Sequence, residues 1–208
     1  MVLYYILVPL AWIVFHIGFR VSCEGRENLK KVATKGAIIA PTHISAIDPV
    51  FVVITRFWGK RMVIFGKKEL FEKNALLTWF LRCMGGVCVR GTKGELEVID
   101  DTIQACKSGD TLLIFPEGTR EKEGHLLPPK SGLFVIAASA GVDVVPARVV
   151  YDTPDGMMHL FCRVRVIYGE PMPAEQFAME NRRDTKKLRA NKQALLDAWV
   201  AMGAKADT

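Results

Sequence analysis

From Leu3 to Phe19 the chain carries no charged residue, and its apolar positions fall on every side of a helix rather than on one stripe. A helix of that length extends about 25 Å, slightly less than a hydrocarbon core of ~30 Å. The pattern therefore predicts a hydrophobic membrane-anchor helix over residues 1–20, embedded rather than lying flat, with a helix buried in the soluble core as the competing reading. No basic residue precedes it and no small-x-small cleavage pattern follows it, so a signal peptide fits poorly. Arg20, Arg26, Lys30 and Lys31 follow closely and would hold the remainder, residues 21–208, on the cytoplasmic side.

Beyond the anchor, short apolar runs alternate with longer amphipathic stretches. Ala37–Ala40 reads as a buried strand, Pro41 to Asp48 as a loop, and Pro49–Phe57 as a helix with Asp48 at its N-cap. Met62–Phe65 reads as a strand, Glu69–Met84 as one helix stopped by Gly85-Gly86, and Val87–Val89 as a strand. A helix over Gly94–Lys107 precedes a buried strand over Thr111–Phe115. Then come a helix over Ser131–Ala140, a strand over Val142–Val150, an alternating, half-exposed edge strand over Leu160–Tyr168, and a basic helix over Thr185–Met202. Strands alternating with helices predict an α/β fold, a mostly parallel central sheet flanked by helices. Glu121–Lys130 is the longest irregular segment inside it.

Charge narrows the partners. A net charge of +6 favours anionic ones: nucleic acid, anionic membrane lipid or phosphorylated metabolites. The basic and aromatic base-contacting elements of a nucleic-acid binder are missing. The five cysteines form no Cys-x-x-Cys, so neither a zinc site nor a disulfide framework is indicated. Gly-x-Ser-x-Gly, the P-loop pattern and Gly-x-Gly-x-x-Gly are all absent, which removes a nucleophile elbow and both nucleotide-phosphate fingerprints.

Two segments carry candidate chemistry. His43 is followed five residues on by Asp48, whose carboxylate can hold one ring N–H and leave the other nitrogen as a base. Glu117-Gly118-Thr119-Arg120 follows a buried strand, at the end where α/β proteins bind ligands. Gly118 permits close backbone approach, Thr119 offers a hydroxyl, and Arg120 can grip phosphate through a planar fork. A loop ion pair between Glu117 and Arg120 is the competing structural reading. Lys67-Lys68 and Arg90-Gly91 also follow strands, so their cations could converge on the same anion.

These residues resemble the lysophospholipid acyltransferases, the 1-acyl-glycerol-3-phosphate acyltransferase family. His43 and Asp48 match its His-x4-Asp motif, with Ser45 between and Thr42 where Asn is common. Gly66-Lys67-Lys68-Glu69-Leu70 through Val89-Arg90-Gly91 matches the second motif, and Phe115-Pro116-Glu117-Gly118-Thr119-Arg120 the third, followed by Gly124 and Lys130-Ser131-Gly132. Val144-Val145-Pro146-Ala147 matches the fourth, and the likeness runs from about Glu24 to Tyr168. The resemblance implies acyl transfer from acyl-CoA or acyl carrier protein to the free hydroxyl of lysophosphatidic acid, giving phosphatidic acid. It implies His43 as base and Asp48 as its support. Lys68, Arg90, Thr119 and Arg120 would hold phosphate, with Glu117 positioning Arg120 or a substrate hydroxyl and Pro146 shaping a pocket wall. No metal or cofactor is expected. The same chemistry on glycerol-3-phosphate, another lysophospholipid or a lyso-aminolipid stays open, as does an inactive membrane lipid-binding protein.

Overall fold

The computed structural model describes residues 2–56, 61–66, 68–72, 74–88, 95–121, 125–179, 181 and 184–205. Arg90, together with Lys67 and Gly124, lies outside the described residues. Helix α1 spans Val2–Gly18, strand β1 Arg20–Glu24 and helix α2 Arg26–Lys31. Then follow β2 (Ala37–Pro41), α3 (Asp48–Arg56), β3 (Val63–Gly66), α4 (Lys68–Phe71), α5 (Ala75–Cys83), β4 (Gly86–Cys88), α6 (Glu95–Lys107) and β5 (Thr111–Leu113). The chain closes with α7 (Gly132–Ala140), β6 (Asp143–Asp152), β7 (Arg163–Tyr168), α8 (Ala174–Phe177) and α9 (Thr185–Ala201).

The seven strands form one sheet in the order β1-β7-β6-β2-β5-β3-β4. Five of them, β6-β2-β5-β3-β4, run parallel. β7 turns back antiparallel to β6, and β1 lies parallel to β7 at the sheet's margin. The C-terminal ends of the five parallel strands therefore share one edge with the starts of β1 and β7.

Burial on both faces explains why the central runs are continuously apolar. In β2, Ala37 and Ile39 face a cluster with Phe51, Val52, Val145, Val149, Tyr151 and Val166, while Ile38 and Ala40 face one with Ile103, Leu133, Phe134, Leu195 and Trp199. The first cluster lies under α1 and α3, the second under α6, α7, α8 and α9.

Four expectations change. β7 is interior rather than an edge, because the unforeseen β1, whose polar sequence hides it, pairs along its outer side. The helix expected over Glu69–Met84 is two, since Asn74 accepts the Leu77 amide at 2.6 Å and starts α5 afresh. Asp48 does not cap α3; its carboxylate reaches backward to Ile44 and Ser45 instead.

The fourth concerns α1. It is not enclosed by lipid on all sides: Tyr4, Val8 and Phe19 join the first core, and both Phe15 and Phe19 meet Phe51 edge-on at 5.3 and 5.2 Å between ring centroids. Ile6, Leu10, Ile13, Val14 and Ile17 face outward, with Ile17 74% exposed. No described helix is long and apolar enough to cross a membrane. α1 thus presents one covered stripe and one bare apolar face.

Candidate active site

β2 ends at Pro41, and the amide of Thr42 still donates to Ala147 of β6 at 3.2 Å. The chain then leaves the sheet at His43 and returns at α3. The loop is tied by one carboxylate. Asp48 Oδ2 accepts from the amides of Ile44 and Ser45 at 2.7 and 2.8 Å and from His43 Nδ1 at 2.9 Å. Oδ1 accepts the hydroxyl of Tyr151 from the end of β6. Asp48 is fully buried, and these four donors are what make a buried carboxylate tolerable. An ionised carboxylate only accepts, so Nδ1 carries the ring hydrogen and Nε2 is left as the acceptor. The His43 side chain stays 17% exposed, enough for a small group to reach it.

The loop after β5 supports the same histidine. The Phe115 ring lies against the imidazole, 4.1 Å between centroids and tilted by 32°. Glu117 is buried and accepts the His43 amide at 2.8 Å and the Leu127 amide at 3.4 Å. The carbonyl of His43 accepts from the Glu121 amide at 2.8 Å, and Glu121 in turn accepts from the His125 amide at 2.9 Å. Burial pushes the Glu117 carboxyl up to about 7, against the lowering effect of its two backbone donors. Burial, then the neighbouring Asp48 charge, raises the Tyr151 hydroxyl well above its ordinary range, so it serves as a proton donor to Asp48.

Glu117 therefore holds the His43 backbone, and its described hydrogen bonds do not go to Arg120. The preceding turn needs Gly118 at φ 69, where the Gly118 amide donates to Phe115 at 3.0 Å. Thr119 and Arg120 are exposed beyond it. Lys68 stands at the start of α4, paired with Glu72 at 3.2 Å, both side chains partly exposed. β5 and β3 are neighbours, so Arg120 and Lys68 follow adjacent strands at one sheet edge. Pro146 is buried mid-strand, paired with Ala40 of β2. A Cβ on Gly169 would come within 3.0 Å of its ring, against the α9 side. Among the described residues no group of His, Cys, Asp and Glu could hold a metal ion.

Tyr151, Phe115 as a support for the imidazole, and Glu121 escape sequence reasoning. The one usable signal for Tyr151 is a phenol near the end of a largely buried strand, directly after Val149 and Val150, where its hydroxyl must find a partner.

Comparison with known proteins gives the family. A family model described as Acyltransferase matches residues 20–150. The chain belongs to the acyltransferase family. The 1-acyl-sn-glycerol-3-phosphate acyltransferase of Bacillus subtilis is 32% identical over 163 residues, 76% of each chain. The chloroplastic 1-acyl-sn-glycerol-3-phosphate acyltransferase LPAT1 of Arabidopsis thaliana is 28% identical over 162 residues, 74% of this chain. That stretch is only 44% of the plant protein, so the chain spans less than half of that relative. The crystal structure of the Thermotoga maritima 1-acyl-sn-glycerophosphate acyltransferase PlsC shares the fold, with a TM-score of 0.63 and 23% identity over 99% of this chain and 80% of that one. In this acyltransferase the family match stops one residue short of Tyr151.

Proposed function

We propose that this acyltransferase moves a fatty acyl group from acyl-CoA or acyl carrier protein to the free hydroxyl of 1-acyl-glycerol-3-phosphate, giving phosphatidic acid. The observation that carries the reading is the His43–Asp48 hydrogen bond of 2.9 Å, at a strand end beside the Glu117–Arg120 loop. An alcohol attacks poorly until its proton is removed in the transition state. His43 Nε2 takes that proton as the oxygen bonds to the thioester carbonyl carbon. The C–S bond then breaks, and the proton passes to the departing sulfur. Asp48 holds the ring and stabilises the imidazolium. The thioester already activates the acyl group, so the reading calls for no cofactor and no metal.

Arg120, Thr119, Lys68 and Arg90 are assigned to the acceptor phosphate, and Gly118 gives the backbone its close approach. Lys68 can leave Glu72 cheaply, because an exposed i,i+4 pair contributes only about 0.3–0.5 kcal/mol. The acceptor is a lipid, and the bare face of α1 suits one leaflet of a bilayer, entered from the cytoplasmic side and not spanned. Anionic lipids would favour this placement through the basic residues that follow α1.

The test is acyl transfer by purified protein in lipid vesicles, with both donor types and an acceptor panel. The panel holds lysophosphatidic acid, glycerol-3-phosphate, a neutral lysophospholipid and a lyso-aminolipid. Preference for lysophosphatidic acid is expected. Equal or better turnover of the phosphate-free acceptor overturns the assignment.

A further inference from the structure

We infer that the turn carrying Leu160 and Phe161 is a second bilayer contact, which with the outer face of α1 seats the dyad's edge of the sheet against anionic lipid. The inference rests on the membrane reading of α1 given above.

Leu160 and Phe161 are 70% and 66% exposed, side by side, on the connection from β6 to β7. Single exposed apolar residues are ordinary, but these continue an existing patch. The Phe161 amide donates to Gly18, the last residue of α1, at 2.8 Å, and the Arg20 amide donates to Cys162 at 3.1 Å. The turn is thereby sewn to the end of α1, where Ile17 is bare.

The turn is also built rather than loose. Thr153 Oγ1 donates to the Met157 carbonyl at 2.8 Å, Asp155 accepts the Met157 amide at 3.0 Å, and His159 pairs with Asp155 at 2.8 Å. Phe161 holds φ 63, the one positive φ outside glycine among the described residues. A bulky aromatic occupies that region at a cost, and glycine or asparagine would not. The cost here aims a phenyl ring at solvent, where the protein's own core gains nothing from it.

Charge selects the surface that would accept this tip. Arg20 and Arg163 are register partners in β1 and β7 and both are exposed. Asp152, opposite Arg163 on β6, is engaged by Arg165 at 3.2 Å. Two arginines beside an apolar tip match the headgroup and acyl boundary of an anionic leaflet. The same pair would face its own like charge across a two-fold between copies, which disfavours a second chain as the occupant. The strand directions put this tip at the edge where β2 releases His43 and β6 delivers Tyr151.

The experiment adds one tryptophan to the full chain, as Leu160→Trp, Phe161→Trp or Ile13→Trp. Each protein is reconstituted in phosphatidylcholine–phosphatidylglycerol vesicles with brominated acyl chains, and the parent's emission is subtracted. Leu160→Trp keeps the test usable if Phe161→Trp disturbs the strained backbone. An interfacial residue sits about 5–10 Å deep, within reach of the bromines, so the added emission at 160 and 161 should be blue-shifted and quenched at least ~2-fold. Quenching at 13 with water-like, unquenched emission at both 160 and 161 overturns the second contact and leaves the α1 reading standing. Quenching at 160 or 161 but not at 13 leaves a lipid contact at the tip but removes the α1 reading, and overturns the two-point seating proposed here. No quenching anywhere removes both. A blue shift at 160 and 161 that ignores bromine and grows with protein concentration overturns the proposal in favour of a second copy.

Discussion

Tyr151 donates its hydroxyl to Asp48 across 103 residues of sequence, from the end of β6 to the foot of α3. That bond occupies the one Asp48 oxygen not already taken by the loop and the imidazole. The orientation of the His43 ring is thus set by a strand as well as by its own loop.

Tyr151→Phe should lower both stability and turnover. A hydrogen bond to a charged group is worth about 1.5–3 kcal/mol, or roughly 3–12 °C in Tm for a chain of this size. kcat should fall several-fold with acceptor KM little changed. Tyr168→Phe supplies the comparison: its buried hydroxyl donates to the Val52 carbonyl at 3.1 Å and meets Thr55 at 2.9 Å. It should lose Tm and keep kcat. Equal kcat losses in the two variants would reduce Tyr151 to a packing role.

His43→Ala should lower kcat by at least ~10²-fold, the usual contribution of a positioned base, with circular dichroism unchanged. Asp48→Asn should damage kcat heavily as well, because its amide cannot accept all the donors that meet the carboxylate. Donor mixed alone with enzyme should leave no acyl-enzyme detectable by mass spectrometry. A trapped adduct, or near-normal turnover by His43→Ala, means that another group performs the attack.

Arg120→Ala should weaken the phosphorylated acceptor far more than the donor. The loss of charge-assisted hydrogen bonds predicts roughly 10- to 150-fold in kcat/KM. Arg120→Lys should restore part of it, lacking the planar fork. Steady-state kinetics with each substrate varied in turn decides; unchanged acceptor kinetics removes Arg120 from the phosphate site.

Glu117 makes stability depend on pH in a definite direction. Its folded-state value of about 7 lies above the unfolded 4.5, so the folded protein binds the extra proton. The stability from that proton is fully present below about pH 4.5 and is lost as pH rises through about 7. At 1.36 kcal/mol per unit the effect is on the order of 3 kcal/mol. Thermal melts of Glu117→Gln should therefore show a shallower fall between these pH values than the parent. The variant should also be less stable at the acid end, because its amide sets an N–H₂ group against one of two backbone donors. Parallel melting curves across that range would show that Glu117 does not titrate there.

The parallel core and the pairing of His43 with Asp48 are legible in the sequence because both rest on local pattern: continuous apolar runs, and a five-residue spacing that one turn can close. What stayed hidden depends on distant partners. β1 reads as a basic flank because its strand character comes from β7, which also turns the expected edge strand into an interior one. Tyr151 lies too far along the chain for spacing to link it to Asp48. Glu117 next to Arg120 invites an ion-pair reading, yet burial and two backbone amides claim the carboxylate first. The apolar face of α1 was readable as apolar, but which side the protein itself covers depends on Phe51 of α3.

The pairing of β1 with β7 also imposes an order on synthesis. α1 and β1 leave the ribosome before β7, and the strand that receives β1 is about 140 residues behind, as the register of Ser22 with Arg165 shows. At about 5–20 residues per second that gap lasts roughly 7–30 s. During it the stripe of Tyr4, Val8 and Phe15 has α3 with Phe51 to pack against, but not the β6 and β7 residues that complete the first core. A bilayer that takes up the helix in that interval would act as a holding surface for the nascent protein, and the finished sheet would then peel one side of the helix back onto itself.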